Sequence, residues 1–371
     1  MIYNWQQPDW PDFSYQLEEV EDLLMKIAEN IGLVSGILHA MNDETQMEAI
    51  IQMMVAEAMK TSAIEGEYLI QQDVISSIRN KMGFQSKPIA VKDKKSRGAG
   101  QLMVEVRKSF ALPLTEQVLF AWHILILNHQ KNINTGVWRT HTEPMQVVSG
   151  AIGREKIHFE APPSKRVKKE MRHFIQWFND TAPGGKKEIS KAPVRAAIAH
   201  LYFESIHPFE DGNGRIGRAI AEKALSQTIG RPVLMSLSQT IEADKKSYYK
   251  ALENAQRSNE ITDWIIYFVH TIFKAQLQAK EMILFTVKRT KFLNRFKEQL
   301  NARQLKVIER MLREPDGFKG GMTAKKYTSI TKVSKATATR DLQELTGFGA
   351  IESIAGGRST HYRLKNFDTQ I

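Results

Sequence analysis

The sequence predicts a mainly α protein: a helical bundle carrying one β-hairpin, followed by a small separate domain at the C-terminal end. Three observations predict it. Apolar residues recur every three to four positions through most of the first 280 residues, the period of a helix with one buried face. Only residues 145–160 break that pattern with two short strand-like runs around a glycine-containing turn. The charge is uneven: residues 286–371 hold 18 Lys and Arg against 8 Asp and Glu, a net +10 of the chain's +11.

The opening WQQPDWPDF, aromatic and proline-rich, is expected to be an extended arm packed onto the domain. From Tyr15 to Met41, apolar residues from Leu17 to Leu38 mark an amphipathic helix, with Asn42 and Asp43 as cap residues. A second helix runs from about Glu44 to Ile64 and ends in TSAIEG. Gly66 is a plausible cap, which places Glu65 in a last turn where the helix dipole disfavours a carboxylate, so a positive partner is expected. A short helix follows over 67–80. Residues 81–100, with their lysines, Gly98 and Gly100, read as an exposed loop. Helices are expected over Gly100–Phe110 and Thr115–Asn128, where His123 reads as a residue of the polar edge. After the hairpin, whose first strand contains Val147, Val148 and Ser149, Pro162 and Pro163 stop the strands and a helix spans Lys165–Asn179. Beyond residue 240, KSYYKALENAQ and Thr262–Met282 are helical, and Thr286–Lys297 reads as a basic linker.

Composition narrows the function classes. The chain has no cysteine, which excludes a disulfide framework, a thiolate zinc site and a cysteine nucleophile. No stretch approaches the roughly 20 apolar residues of a membrane span, and the N-terminus lacks a basic region followed by an apolar one. A soluble, cytoplasmic protein without membrane partners is expected.

The densest chemistry lies in HPFEDGNGRIGR, His207 to Arg218. The preceding APVRAAIAHLYFESI is helical, and Pro208 stops it, leaving His207 at a helix mouth with His200 two turns before it as packing or as a support. Gly212, Asn213 and Gly214 form a loop able to turn successive N–H groups toward one point before a helix begins near Arg215. The helix N-terminus, Arg215 and Arg218 add positive charge at the same place, so the stretch reads as a cradle for several phosphates. Asp211 does not suit an anion, but suits a Mg²⁺ ion bridging phosphate oxygens.

These residues resemble the Fic family signature H-x-F-x-D/E-G-N-G/K-R-x-x-R, with every fixed position filled. The resemblance implies a Fic-type helical bundle with the hairpin as a flap, and transfer of AMP from ATP onto a Ser, Thr or Tyr hydroxyl of a protein. It gives His207 the role of general base, Asp211 that of Mg²⁺ ligand, and Asn213 with the amides of Gly212 and Gly214 the α- and β-phosphates. Phe209 anchors the loop, Arg215 faces the diphosphate and Arg218 grips the γ-phosphate. Thr61 to Gly66 resembles the family's inhibitory motif S/T-x-x-x-E-G/N, which implies that Glu65 reaches Arg218 and blocks the γ-phosphate. The flap residues Val147, Val148 and Ser149 would align a target segment by strand addition. Tyr249 would stack on the adenine and Gln256 would hydrogen-bond its edge.

The tail from about Leu300 reads as three helices and two strands, IESIAGG and RSTHYRL, resembling a winged helix. Ser334 would cap the third helix, which offers Lys335, Thr337, Thr339 and Arg340 to a groove, with Arg358 at the wing tip. Duplex DNA is the expected partner of residues 300–371, with protein docking as the other reading. The expected organisation is a helical region over 1–100 with the inhibitory helix, a catalytic core over 101–285 and the winged-helix domain with its basic linker over 286–371. Other readings are removal of AMP, transfer of another nucleotide, or a DNA-binding regulator whose Fic fold senses nucleotide. A homodimer is a further candidate assembly.

Overall fold

Helix formers and periodic apolar residues fold into the elements the sequence predicts, and two stretches read as loop or linker prove helical. The computed structural model describes residues 2–84, 87–149, 156–313, 318–354, 360–365 and 367. The chain divides into two compact units, Met1–Gly36 with Ile50–Ala279, and Ile37–Ala49 with Lys280–Ile371. No helix among the described residues is long and apolar enough to cross a membrane.

In the first unit the arm is packed as expected: Tyr3, Asn4 and Trp5 are buried, and Trp10 and Phe13 meet the edge of Tyr202. Helix α1 covers Glu21–His39 and α2 Asp43–Ile64. Gly66 takes φ +78°, and Glu67 N donates to Ser62 O, the glycine-capped helix end read from TSAIEG. Helix α3 covers Gln71–Met82 and α4 Lys94–Lys108.

Residues 94–100 are thus helix, not loop. Asp93 caps α4 through Ser96 N, and the glycines serve close packing, Gly98 against helix α5, Glu116–Leu127, and Gly100 against α3. A Cβ at Gly98 would lie 1.8 Å from Leu125 O, and one at Gly100 2.9 Å from Ser77 Cβ. The hairpin pairs β1, Gln146–Ser149, with β2, Lys156–Glu160, antiparallel, with a register shift between Val147 and Val148. Val147 packs with Tyr3, Trp5 and Phe159, while Val148 is exposed.

Helix α6 spans Ser164–Asp180, α7 Ala192–Ile206 and α8 Asn213–Ile229. Every residue of α7 is buried, which makes it the axis around which α6, α8 and α10 (Lys245–Ala255) are arranged, with α9 (Leu237–Ala243) between the last two in sequence. Helix α11 runs over Thr262–Phe296. The expected basic linker is therefore the end of this helix: no glycine or proline interrupts 262–296, and Phe292 and Phe296 bury at helical spacing.

The second unit contains α12 (Ala302–Met311), α13 (Ala324–Thr331), α14 (Lys335–Gly347) and a hairpin of β3 (Ile351–Ser353) with β4 (Tyr362–Leu364). Its core joins Val307, Ile308, Met311, Tyr327, Leu342 and Leu345. Buried Asp341 accepts from Arg303 and from Tyr327 Oη at 2.8 Å. Ser334 caps α14 through Thr337 N, as expected. Arg358 lies outside the described residues.

The glycine packing of α4 is measurable. Gly98→Ala should cost about 2–4 kcal/mol in urea unfolding, because backbone rather than a flexible side chain must yield. Gly32→Ala in α1, where a Cβ meets nothing within 4 Å, should instead stabilise by roughly 0.5–1 kcal/mol.

Candidate active site at the mouth of helix α8

Pro208 ends α7, and His207 closes it in the left-handed region at φ 48°, a conformation that costs a non-glycine residue energy and needs outside support. Arg139 supplies it. Its Nε donates to His207 O at 2.8 Å, its guanidinium also reaches Pro162 O and Ile206 O, and its backbone N–H donates to Pro208 O. Burial pulls this guanidinium down to about 10. Nothing in the surrounding WRTHTEP marks Arg139 as part of the site, because its partners are backbone carbonyls distant in sequence.

The loop is shaped from within. Asn213 Oδ1 accepts from Phe209 N and Asn213 Nδ2 donates to Phe209 O, both at 2.9 Å. The Asn213 side chain is thus spent on the loop's shape, and its backbone amide is what faces outward at the start of α8. Phe209 is fully buried, as expected of an anchor. Gly212 caps α8 with φ +80°, so the helix starts two residues earlier than expected and Gly214 is already helical. The amides of Asn213, Gly214 and Arg215 belong to the first turn, where no intrahelical carbonyl can satisfy them, and form an anion site.

A carboxylate of the chain itself stands there. A Cβ on Gly214 would lie 2.3 Å from Glu65 Oε1, so this glycine is required by closeness, not by φ. Arg218, 1% exposed, donates from Nη2 to Glu65 Oε1 at 2.7 Å, from Nε to Thr61 Oγ1 at 2.8 Å and from Nη2 to Thr61 O at 3.0 Å. Burial alone would lower the Arg218 pKa, but Glu65 outweighs it and holds the guanidinium above the ordinary arginine value. The positive partner expected for Glu65 is therefore Arg218. Arg215 makes a pair that the sequence reading missed: its Nη1 meets Glu67 Oε2 at 2.5 Å, with Lys95 and His129 each 3.6 Å from Glu67 Oε1. The signal for it is a second carboxylate two residues past Glu65.

Asp211 is half-exposed at the cradle's edge. Its Oδ1 accepts from Gly212 N at 2.5 Å and lies 3.5 Å from Arg215 Nη2, and its Oδ2 lies 3.4 Å from Gln130 Nε2. Among the described residues no group of three or more His, Cys, Asp or Glu could hold a metal. One accessible carboxylate beside an anion cradle fits a hard ion that takes its other ligands from phosphate and water, which is the habit of Mg²⁺.

On α10, Tyr249 is 41% exposed, and its hydroxyl pKa is pushed up to about 12 by burial of the oxygen and by Glu65, with Arg218 opposing. Gln256 differs from expectation. It is buried, and its Nε2 donates to Glu204 O at 3.3 Å, so it braces α7 in place of presenting an edge to a base. Strand β2 is tied to α10 and to the turn that follows it, since His158 Nδ1 lies 3.3 Å from Glu253 Oε2 and Arg257 Nη2 donates to His158 O at 2.7 Å.

His123, expected at a polar edge, is fully buried beneath the loop and stacked on Phe209 at 4.0 Å. Gly136 N donates to its Nδ1 at 2.9 Å, so the ring proton sits on Nε2, which faces Asp211 O at 3.2 Å. Burial pulls its pKa down to about 4, with the Asp211 carbonyl opposing. A histidine depressed in the fold adds stability that is complete above the unfolded value near 6.5 and is lost as pH falls toward 4. Lowering pH from 7 to 5 should therefore cost about 2 kcal/mol through this ring. The measurement is urea unfolding at both pH values, and the pH-dependent loss should shrink by about that amount in His123→Gln.

Residues 113–225, which contain this loop, α7 and most of α8, match the family model described as Fic/DOC family. Residues 3–84, which hold the arm and the Glu65 helix, match a model described as a domain of unknown function (DUF4172). A Fido domain-containing protein of Dictyostelium discoideum is 31% identical over 147 residues, covering 37% of this chain and 97% of that protein. The protein adenylyltransferase fic-1 of Caenorhabditis elegans is 30% identical over 90 residues, covering 24% of this chain but only 16% of that protein. In fold, the crystal structure of a Fic family protein from Desulfovibrio desulfuricans G20 aligns with a TM-score of 0.54 at 19% identity, over 96% of this chain and 98% of that one. The match to nearly the whole of the Dictyostelium protein and the family model over the motif agree with the helix-mouth geometry, and the chain belongs to the Fic/DOC family.

Proposed function

We propose that the chain is a protein adenylyltransferase, which moves AMP from ATP to a Ser, Thr or Tyr hydroxyl of a target protein and is restrained by its own Glu65. The observation that carries this reading is the convergence at one helix mouth of an imidazole, first-turn amides and Arg218, with an internal carboxylate seated where an anion would bind. In the reaction the hydroxyl oxygen attacks the α-phosphorus, the bond from that phosphorus to the oxygen bridging to the β-phosphate breaks, and pyrophosphate leaves. His207 takes the hydroxyl proton. The amides of α8 and Arg218 neutralise and place the phosphates, so most of the rate comes from positioning and electrostatics. Asp211 would hold Mg²⁺, which supplies charge neutralisation at the phosphates.

The restraint follows from charge. Arg218 cannot serve Glu65 and a γ-phosphate at once, and Arg215 is held by Glu67 in the same way. ATP bound through the amides alone would leave its α-phosphate poorly aligned, which costs rate more than affinity. The exposed Val148 on a two-stranded hairpin suits addition of a target strand along β1. For residues 300–371 we read duplex DNA as the partner, on the charge of this segment and on the exposed Lys335 and Arg340 of capped α14.

Three outcomes are expected. Incubated with labelled ATP and Mg²⁺, the Glu65→Gly protein should label itself or a partner, and adding His207→Ala should abolish the label; equal labelling would remove His207 as the base. Glu65→Gly should raise AMP transfer by at least about tenfold under saturating ATP, and adding Glu67→Gln should raise it by roughly threefold more. An unchanged rate in both would end the restraint reading. A purified 300–371 fragment, if folded by circular dichroism, should bind duplex DNA with an affinity falling steeply between about 50 and 200 mM salt; no binding at low salt would favour protein docking.

A further inference from the structure

Glu204 has no place in the signature and lies on the buried face of α7, yet its carboxylate is aimed at the candidate base. Glu204 is 4% exposed, and its Oε2 lies 3.6 Å from His207 Nδ1. The space for its other oxygen is left by Gly217 of α8, where a Cβ would stand 2.3 Å from Glu204 Oε1 and 3.1 Å from His200 Nδ1. Among the described residues, His207 Nδ1, Glu204 Oε1 and His200 Nδ1 are buried with no hydrogen-bond partner within normal reach. The far side of His200 is fixed, because its Nε2 meets Tyr248 Oη at 2.7 Å and its ring stacks on Trp264 and Phe268.

We propose that Glu204 is a positioning residue that holds the His207 proton on Nδ1, so that Nε2 faces the nucleotide with a free electron pair and serves as the base nitrogen. This rests on the reading of His207 as base. The physics is that of a buried acceptor: a carboxylate cut off from water needs donors, and the nearest is the Nδ1–H of His207. Burial acts to raise the Glu204 carboxyl, but His207, His200 and Arg218 outweigh it and hold it below the usual range. The carboxylate is therefore charged. It orients the ring and stabilises the imidazolium that forms when the hydroxyl proton arrives, the role a buried acid plays behind a histidine base in other enzymes. Contacts at such sites often tighten only when substrate binds, which accommodates 3.6 Å. The groups facing this carboxylate are His200 of its own helix, His207 at that helix's end, Arg218 from α8, and Tyr248 and Tyr249 from α10.

The test reads the ring directly. In protein with ¹⁵N-labelled histidine, the His207 signals are assigned by their absence from His207→Gln. At a pH where the ring is neutral, wild type should carry its proton on Nδ1, and Glu204→Leu should populate the form protonated on Nε2. A wild-type proton on Nε2, or a tautomer unchanged by Glu204→Leu, overturns the proposal. Should Glu204→Leu fail to fold, Gly217→Ala displaces the carboxylate while keeping it, favours the helix, and should move the proton in the same way. In a Glu65→Gly background, Glu204→Leu should lower kcat for AMP transfer at least about a hundredfold with little change in KM for ATP, and Glu204→Asp should recover part of the loss. The nitrogen signals decide the pairing whether or not AMP transfer is seen, so failure of the proposed activity is distinguishable from failure of this inference.

Discussion

A helix buried on all sides must find partners for the polar groups it carries, and α7 is such a helix. Arg195 is satisfied by Phe178 O and Thr181 from the α6 end and by Ala224 O and Gln227 of α8. Ser205 accepts from Asn4 of the arm, His200 reaches Tyr248 of α10, and Glu204 turns to His207. Each of these needs draws another element against α7. The architecture around the site is the solution to that problem, and the loop that follows sits where α7 runs out and the need for partners passes to Arg139 and Asn213.

The loop then inherits a surplus of positive potential from the first turn of α8, from Arg215 and from Arg218. Such a concentration of charge is costly to leave unpaired in a partly buried place. In this chain Glu65 and Glu67, carried just past the end of α2, meet the two arginines. A helix mouth with this much positive charge suits an anion, and here an internal carboxylate takes that place. Gly214 allows this, since any larger residue would push Glu65 away from the helix mouth. Gly217 plays the same part for Glu204 one turn later. Two glycines on one helix face thus admit two carboxylates, one at the mouth of α8 beside Arg218 and one beside His207.

What the sequence by itself determined follows from local rules. Periodicity placed the long helices, Pro208 and Gly66 marked helix ends, and the filled Fic signature pointed to the helix mouth and to the residues brought together there. Glu65 in a last turn demanded a cation, and that demand was legible before its partner was. Local rules also misread glycine and charge. Gly98 and Gly100 suggested a loop because sequence records flexibility and not the approach of Leu125 and Ser77. The lysines and arginines after 286 suggested a linker, although Phe292 and Phe296 continue the helix beneath them. Only the tertiary structure decided the contacts that cross the chain: Arg139 under His207, His123 beneath Phe209, Glu67 against Arg215 and Gln256 braced on Glu204. Such pairings join residues 52 to 148 positions apart, and no local spacing encodes them. They arise because buried polar groups accept whichever partner the packing brings within reach.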